Sequence, residues 1–98
     1  MYYTYMMRCA DNSLYTGMTN NLEKRINEHL SKHGAKYTKS HNATKFEIAW
    51  KCKDKSLACK LEYQIKTLTK LQKEKLVNGD KLSTYLSGKV DCRRYKKV

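Results

Sequence analysis

The chain has 98 residues, enough for one domain with one modest hydrophobic core. Hydrophobic residues make up 40% of it and charged residues 31%, which favours a folded domain over a disordered segment. The net charge of +12 favours a polyanionic partner, although a solvated lysine-rich surface would give the same count. No apolar stretch approaches the ~20 residues of a membrane span, which argues against a membrane protein.

The cysteines indicate whether the protein binds zinc and whether its thiols are reduced. They form no C-x-x-C pair and no zinc-binding spacing, so reduced structural thiols are expected. No secretory signal pattern is visible at the start of the chain. The sequence therefore predicts a cytoplasmic protein. The four cysteines are Cys9, Cys52, Cys59 and Cys92.

The first 16 residues predict a β-hairpin. Tyr3, Tyr5 and Met7 alternate with other residues, and aromatic side chains at a period of two indicate a strand. Residues 11–13 read Asp-Asn-Ser, which is typical of a turn, and a second strand follows. The hairpin should bring Tyr5 close to Tyr15.

A helix is predicted next, from about residue 21 to about Gly34. Asn20 and Glu23 have the spacing of a capping box. Arg25 and His29 are four residues apart and should stack beside the apolar face of the helix. The predicted apolar stripe consists of Leu22, Ile26 and Leu30.

The rest of the chain predicts a basic loop to about residue 45, a strand over 46–52 and a long helix over about 55–68. A further helix is expected to end near 77, and a short one should cover 82–86. The third strand should bury one face, formed by Phe46, Ile48, Trp50 and Cys52. The fold class is therefore α+β, a small three-stranded antiparallel sheet flanked by helices in the order β-β-α-β-α-α. We expect one domain over 1–88 and a basic C-terminal tail over 89–98.

Two tripeptides in this hairpin carry a resemblance to a known family. Tyr3-Thr4-Tyr5 is followed by Tyr15-Thr16-Gly17, then by a helix with Arg25 and a later helix with Glu62. This pattern resembles the GIY-YIG nucleases, named for two tripeptides on neighbouring strands. The resemblance covers about residues 2–75 and is strongest to bacterial single-domain members, whose sequences are similar around residues 34–38 and 61–66.

The resemblance implies hydrolysis of a phosphodiester by an in-line water, with one Mg²⁺ or Mn²⁺ ion. Glu62 would hold the metal and Arg25 would clamp the phosphate. Tyr5 would take or relay the proton of the water, with His29 as its helper, because an unassisted tyrosine has a pKa near 10. Tyr15 would orient the phosphate or the water.

The other expected site residues have supporting roles. Gly17, without a side chain, would let the helix pack close to the hairpin. Nucleic-acid contacts are expected from Lys32, Lys36, Lys39 and Lys66. DNA is the expected substrate, and RNA is left open. A protein partner and a homodimer are also left open.

Each assignment has a plainer alternative. Tyr5 and Tyr15 are also ordinary strand residues, Arg25 and Lys66 also suit a solvated surface, and the histidine also suits a structural role. Glu62 is spaced to pair with Lys66 on the helix surface. The sequence also departs from the family: Met18 stands where several members have a lysine. An asparagine that others carry beyond the glutamate has no clear counterpart.

Three functional hypotheses follow. The first is a metal-dependent endonuclease, selective for nucleic-acid structure rather than sequence, because the chain has no room for a separate DNA-binding or repair domain. The second is a nucleic-acid-binding module without turnover, which the missing lysine and asparagine favour. The third is a small adaptor whose basic face meets an acidic protein.

Overall fold

The computed structural model describes residues 1–30 and 43–98. One antiparallel sheet runs through these residues in the order β2-β1-β3-β4. Its strands are β1 (Tyr2–Cys9), β2 (Leu14–Thr19), β3 (Ala43–Cys52) and β4 (Lys96–Lys97). The helices are α1 (Leu22–Leu30), α2 (Lys55–Lys66), α3 (Lys70–Val77) and α4 (Leu82–Leu86), and a 3-10 helix spans Cys92–Arg94. The predicted α+β class is confirmed.

The helix ends follow local capping chemistry, with two differences from the prediction. The side chain of Asn21 accepts from the Lys24 N–H at 3.1 Å, so the cap of α1 lies one residue later than the predicted Asn20. The long second helix ends at Lys66, and a capping box of Thr69 and Gln72 starts α3. The predicted end of α1 near residue 34 and the basic loop up to residue 42 lie outside the described residues.

Both faces of the sheet are covered, by different helices. On one face a core cluster joins Met6 and Trp50 to the buried residues of α2, α3 and α4. On the other face Tyr5 and Met7 form a smaller cluster, against which Leu22 and Ile26 of α1 pack. Alternation along β1 therefore assigns Tyr5 to the side of α1.

Part of the predicted packing pattern is wrong. Met6 pairs with Ile48 but Met7 pairs with Phe46, so β3 has an irregularity at Glu47. The extra residue shifts the alternation, and Phe46 packs with the α1-side cluster instead of with Ile48. Leu30 was expected to be buried but is 45% exposed, and in the last turn of α1 it is His29 that contacts the sheet, through Tyr5.

The sheet has four strands rather than the predicted three. Residues Lys96 and Lys97 pair with Lys51 and Trp50 at the outer edge of β3. The segment expected to be a basic tail also carries Tyr95, which is buried in the larger core and donates a hydrogen bond to the Leu57 carbonyl at 2.6 Å. Burial raises the pKa of Tyr95 to about 12.

An ion-pair network ties α3 to the sheet. Nη2 of Arg8 lies 2.7 Å from a carboxylate oxygen of Glu47 and 2.6 Å from one of Glu74. Glu47, on β3, keeps only 9% of its side chain exposed, so its charge depends on Arg8 and on the exposed Lys45, whose Nζ lies 3.5 Å from the other carboxylate oxygen. The hydrogen bond from Arg8 lowers the pKa of Glu74 to about 2.

Every helix in the described ranges is too short or too polar to cross a membrane.

We expect Arg8→Ala to destabilise the fold by about 2 kcal/mol, because it leaves the nearly buried Glu47 carboxylate with only the exposed Lys45, 3.5 Å away, as its partner. Urea denaturation measures the change. Arg93→Ala is the matched control, since Arg93 is an exposed arginine paired with Asp91 and its loss should change nothing measurable. The contribution of Glu74 should fade as the pH falls from about 4.3 toward 2, because its folded-state pKa is lowered. Equal stability of the two arginine variants would contradict the assignment.

Candidate active site

Three aromatic side chains meet on the α1 side of the hairpin. The Tyr5 hydroxyl lies 2.9 Å from Nε2 of His29, which α1 brings over the sheet. The ring centre of Tyr15, on the neighbouring strand, lies 6.3 Å from that of Tyr5 and 5.3 Å from that of His29. The structure thus brings together three of the predicted catalytic residues.

Gly17 makes this arrangement sterically possible. It pairs directly with Tyr5 across the two strands. A Cβ atom at position 17 would lie 2.7 Å from the Tyr5 hydroxyl oxygen and 3.0 Å from Cε2 of Tyr15. The close neighbours of Gly17 are therefore the two tyrosine rings, rather than a helix as the sequence led us to expect. The glycine provides the space that the Tyr5 ring occupies.

The three aromatic residues differ in their access to solvent. Only 1% of Tyr5 is exposed, whereas Tyr15 is 41% exposed and His29 is half-buried. A molecule approaching this face therefore meets Tyr15 and His29 first. Tyr5 lies beneath them and contributes through its hydroxyl.

His29 is held in a setting that favours its neutral form. Burial lowers its pKa below the usual 6.5, and the positive charge of Arg25 lowers it further. Arg25 lies one turn earlier on α1 and is largely exposed, with Glu28 at 3.9 Å. A neutral imidazole can accept a proton, so the Tyr5–His29 pair can move a proton along its hydrogen bond.

Glu62 lies on a different element from the aromatic cluster. It belongs to α2, which packs on the opposite face of the sheet, and its side chain is 24% exposed with Lys66 at 3.3 Å. The Sγ atom of Cys59, one turn earlier, is 3.3 Å from the sulfur of Met18 on β2. This flank of α2 therefore lies along the β2 edge of the sheet, the strand that also carries Tyr15.

Among the described residues, the predicted ligand Glu62 is chemically suited to a divalent ion. Within residues 1–30 and 43–98, no group of three or more His, Cys, Asp or Glu side chains is placed to hold a metal. A single partly exposed carboxylate such as Glu62 still suits Mg²⁺, which commonly binds one or two carboxylates together with water and substrate phosphates.

The predicted lysine contacts divide into two groups. Lys66 lies on α2 and is paired with Glu62, which is the plainer alternative proposed for Glu62. Lys32, Lys36 and Lys39 lie outside the described residues.

The sequence interpretation missed one basic feature altogether. Lys60 of α2 lines a groove with Lys89 and Arg94 of the C-terminal segment. These residues are scattered along the chain and share no spacing. Only the excess of basic residues near the C-terminus hinted at them.

Comparison with known proteins identifies the family of this chain. The sequence model of the family described as the GIY-YIG catalytic domain matches residues 1–75. The chain belongs to the GIY-YIG family. The matched range contains every candidate catalytic residue and excludes β4, the strand that the sequence did not predict.

Several relatives of this GIY-YIG protein are close in sequence. The UPF0213 protein FN1575 of Fusobacterium nucleatum is 49% identical over 77 residues, which cover 79% of this chain and 77% of that protein. The UPF0213 protein YhbQ of Salmonella typhimurium is 43% identical over 76 residues, covering 78% and 76%. The solution NMR structure of a UPF0213 protein from Bacillus halodurans has 38% identity and a TM-score of 0.51, covering 80% of this chain and 84% of that one. The fold is therefore shared with a solved structure of the same group.

Gly17→Ala should destabilise the protein by about 1–3 kcal/mol, because the new methyl group would collide with the Tyr5 ring. Urea denaturation measures this effect. In a Tyr5→Leu background the ring is absent, so adding Gly17→Ala should cost much less. An unchanged cost in that background would show that the strain lies elsewhere.

Proposed function

We propose that this GIY-YIG protein is an endonuclease that hydrolyses nucleic-acid phosphodiester bonds with Mg²⁺ or Mn²⁺. The observation that carries the proposal is the 2.9 Å hydrogen bond between Tyr5 and a His29 whose pKa is lowered. Family membership makes nuclease chemistry the expected use of this pair. The net charge of +12 supports a polyanionic substrate.

The proton of the attacking water passes into the Tyr5–His29 pair. As the water oxygen bonds to phosphorus, its proton goes to the Tyr5 hydroxyl while the hydroxyl proton moves to Nε2 of His29. The lowered pKa keeps His29 neutral, and so able to accept, at neutral pH. The bond to the leaving oxygen breaks, and that oxygen is protonated from solvent. Because Tyr5 is buried, the pair works from beneath the surface that Tyr15 lines.

Arg25 and Tyr15 bind the phosphate that reacts. The guanidinium of Arg25 is exposed on α1 one turn from His29, and its only described ion pair, with Glu28, is long at 3.9 Å. It can therefore turn to the phosphate oxygens and offset the charge that develops on them. Tyr15 is the exposed aromatic residue of the cluster and orients the phosphate or the water.

Glu62 holds the metal ion in this proposal. A divalent ion held there would supply positive charge to the phosphate and would assist deprotonation of the attacking water. The carboxylate is accessible at the β2 edge, and Lys66 can release it, because an exposed ion pair is weak.

The natural substrate is proposed to be DNA with an unusual structure, such as a branch, a nick or a single-stranded region. A small basic surface reads the shape of the backbone more readily than its base sequence. The four cysteines are free thiols, in agreement with a reducing compartment such as the cytoplasm. A homodimer or a partner protein would extend the surface that contacts the substrate.

The second candidate is a nucleic-acid-binding module without turnover. Met18, which stands where several family members have a lysine, favours it, since one phosphate-contacting cation is then absent. Its Sδ atom contacts the thiol of Cys59 instead. Such a module would bind nucleic acid in a salt-dependent way and leave it intact.

Cleavage assays decide between the two candidates. Purified protein is incubated with single-stranded, nicked and branched DNA and with RNA, in Mg²⁺, Mn²⁺ or EDTA. We expect metal-dependent cutting, reduced at least about 100-fold in both Glu62→Ala and Arg25→Ala. Glu23→Ala and Arg93→Ala remove the same charges from exposed positions and should cut normally. Salt-sensitive binding without cutting on every substrate would establish the binding module.

The rate should depend on pH through His29. Activity should fall as the pH drops below 6.5, because protonation removes the acceptor and the pKa of His29 is lowered. The midpoint should match the His29 titration followed by NMR. His29→Ala and Tyr5→Phe should each lose about 100-fold or more in rate. Only His29→Ala should also lose the fall in rate at low pH, which is the acidic limb of the pH–rate profile. Persistence of the limb in His29→Ala would exclude His29 as the titrating group, and full activity of Tyr5→Phe would remove Tyr5 from the proton route.

A further inference from the structure

The exposed side of α2 carries an aromatic residue with no role in the core. Tyr63 is 67% exposed, although a large aromatic side chain ordinarily buries much of its surface. It follows Glu62 directly in the sequence. At about 100° per residue, Tyr63 stands roughly a quarter-turn around the helix from Glu62, on the outward side.

Lys60 lies on the far side of Tyr63 from Glu62. Three residues correspond to about 300°, so Lys60 is only about 60° further around the helix. Going around the exposed surface of α2, the order is therefore a carboxylate, an aromatic ring and a cation. The whole arc lies within about 5 Å along the helix axis.

The groove beside Lys60 continues this arc away from Glu62. It has a volume of about 540 Å³ and lies between α2 and the C-terminal segment, with Lys89 and Arg94 among its lining residues. In the part of the chain that the structure describes, neither Lys60 nor Lys89 is paired with an acid. Arg94 is held at 3.6 Å by Asp91, the one acid among the described residues that line the groove. Two unpaired lysines that line one groove are typical of a surface that binds anionic groups.

We propose that α2 carries a single-stranded flank of the nucleic-acid substrate from Glu62, over the ring of Tyr63, into the groove of Lys60, Lys89 and Arg94. The inference rests on the proposed function, since it takes Glu62 as the position of the bond that is cut. A single strand fits this surface because it has unstacked bases, one of which can stack on Tyr63 while adjacent phosphates meet the lysines. A protein partner would not need this alternation of ring and cation.

The groove is tested by binding in EDTA, where no cleavage occurs. A fluorescent 20-nucleotide single-stranded DNA is titrated with protein at several salt concentrations. Lys60→Ala/Lys89→Ala should weaken binding about tenfold or more and reduce the slope of log K against log salt by about 1.4, the value for two phosphate contacts. Lys75→Ala/Lys81→Ala removes the same charge from exposed positions outside the groove and should leave the slope nearly unchanged.

The aromatic contact is tested separately from charge. Tyr63→Ala should weaken single-strand binding about tenfold with no change in the salt slope, because stacking releases no counterions. Tyr63→Phe keeps the ring and should bind like the unmodified protein. Blunt duplex DNA of the same length should be insensitive to Tyr63→Ala, since its bases are already stacked.

The outcomes separate this inference from the endonuclease. Equal effects of the two lysine pairs, or tight binding by Tyr63→Ala, would overturn the strand path even if the protein cuts DNA. An equal loss of duplex binding in Tyr63→Ala would overturn the assignment of a single strand. If the predicted pattern of binding is found but nothing is cut, the path over Tyr63 into the groove stands, and the endonuclease with its cut at Glu62 fails.

Discussion

The candidate site depends on one close approach inside the hairpin. Tyr5 and Gly17 face each other on paired strands, and the Tyr5 hydroxyl occupies the volume that any side chain at position 17 would need. From there the hydroxyl reaches His29, and α1 is fixed against the same face by Leu22 and Ile26. The glycine therefore determines the contact between Tyr5 of β1 and His29 of α1. A larger residue there would displace the ring that links the strand to the helix.

The division of the sheet into two covered faces explains where the remaining site residues lie. The hydrogen-bonded pair of Tyr5 and His29 is on the α1 face, whereas Glu62 is on a helix that packs against the other face. The two groups can meet on one substrate only around the β2 edge. Met18 and Cys59 contact each other at that edge. An edge strand is otherwise a position that proteins protect from pairing with other chains. Here a bound substrate would cover it.

The sequence predicted the hairpin, the order of the main helices and the meeting of Tyr5 with Tyr15, because alternation and helical spacing are local signals. It did not predict β4, since two lysines have no strand pattern of their own and pair only because Tyr95 anchors the segment in the core. It misplaced Phe46 because one extra residue at Glu47 inverts the alternation without changing the composition. The sequence also did not show why position 17 needs a glycine. A close approach between strands is a property of the register, which spacing alone does not give.

The C-terminal segment shows how a basic stretch can serve both stability and binding. Its aromatic residue, Tyr95, is buried and hydrogen-bonded to the Leu57 carbonyl at the start of α2, which fixes the segment beside that helix. Lys89 and Arg94, which both precede this anchor in the sequence, stay at the surface next to Lys60. Without the anchor these charges would be spread over a mobile chain, and ordering them on a substrate would cost entropy. Because the core holds them in place beforehand, they can act as a preformed groove although the family match ends at residue 75.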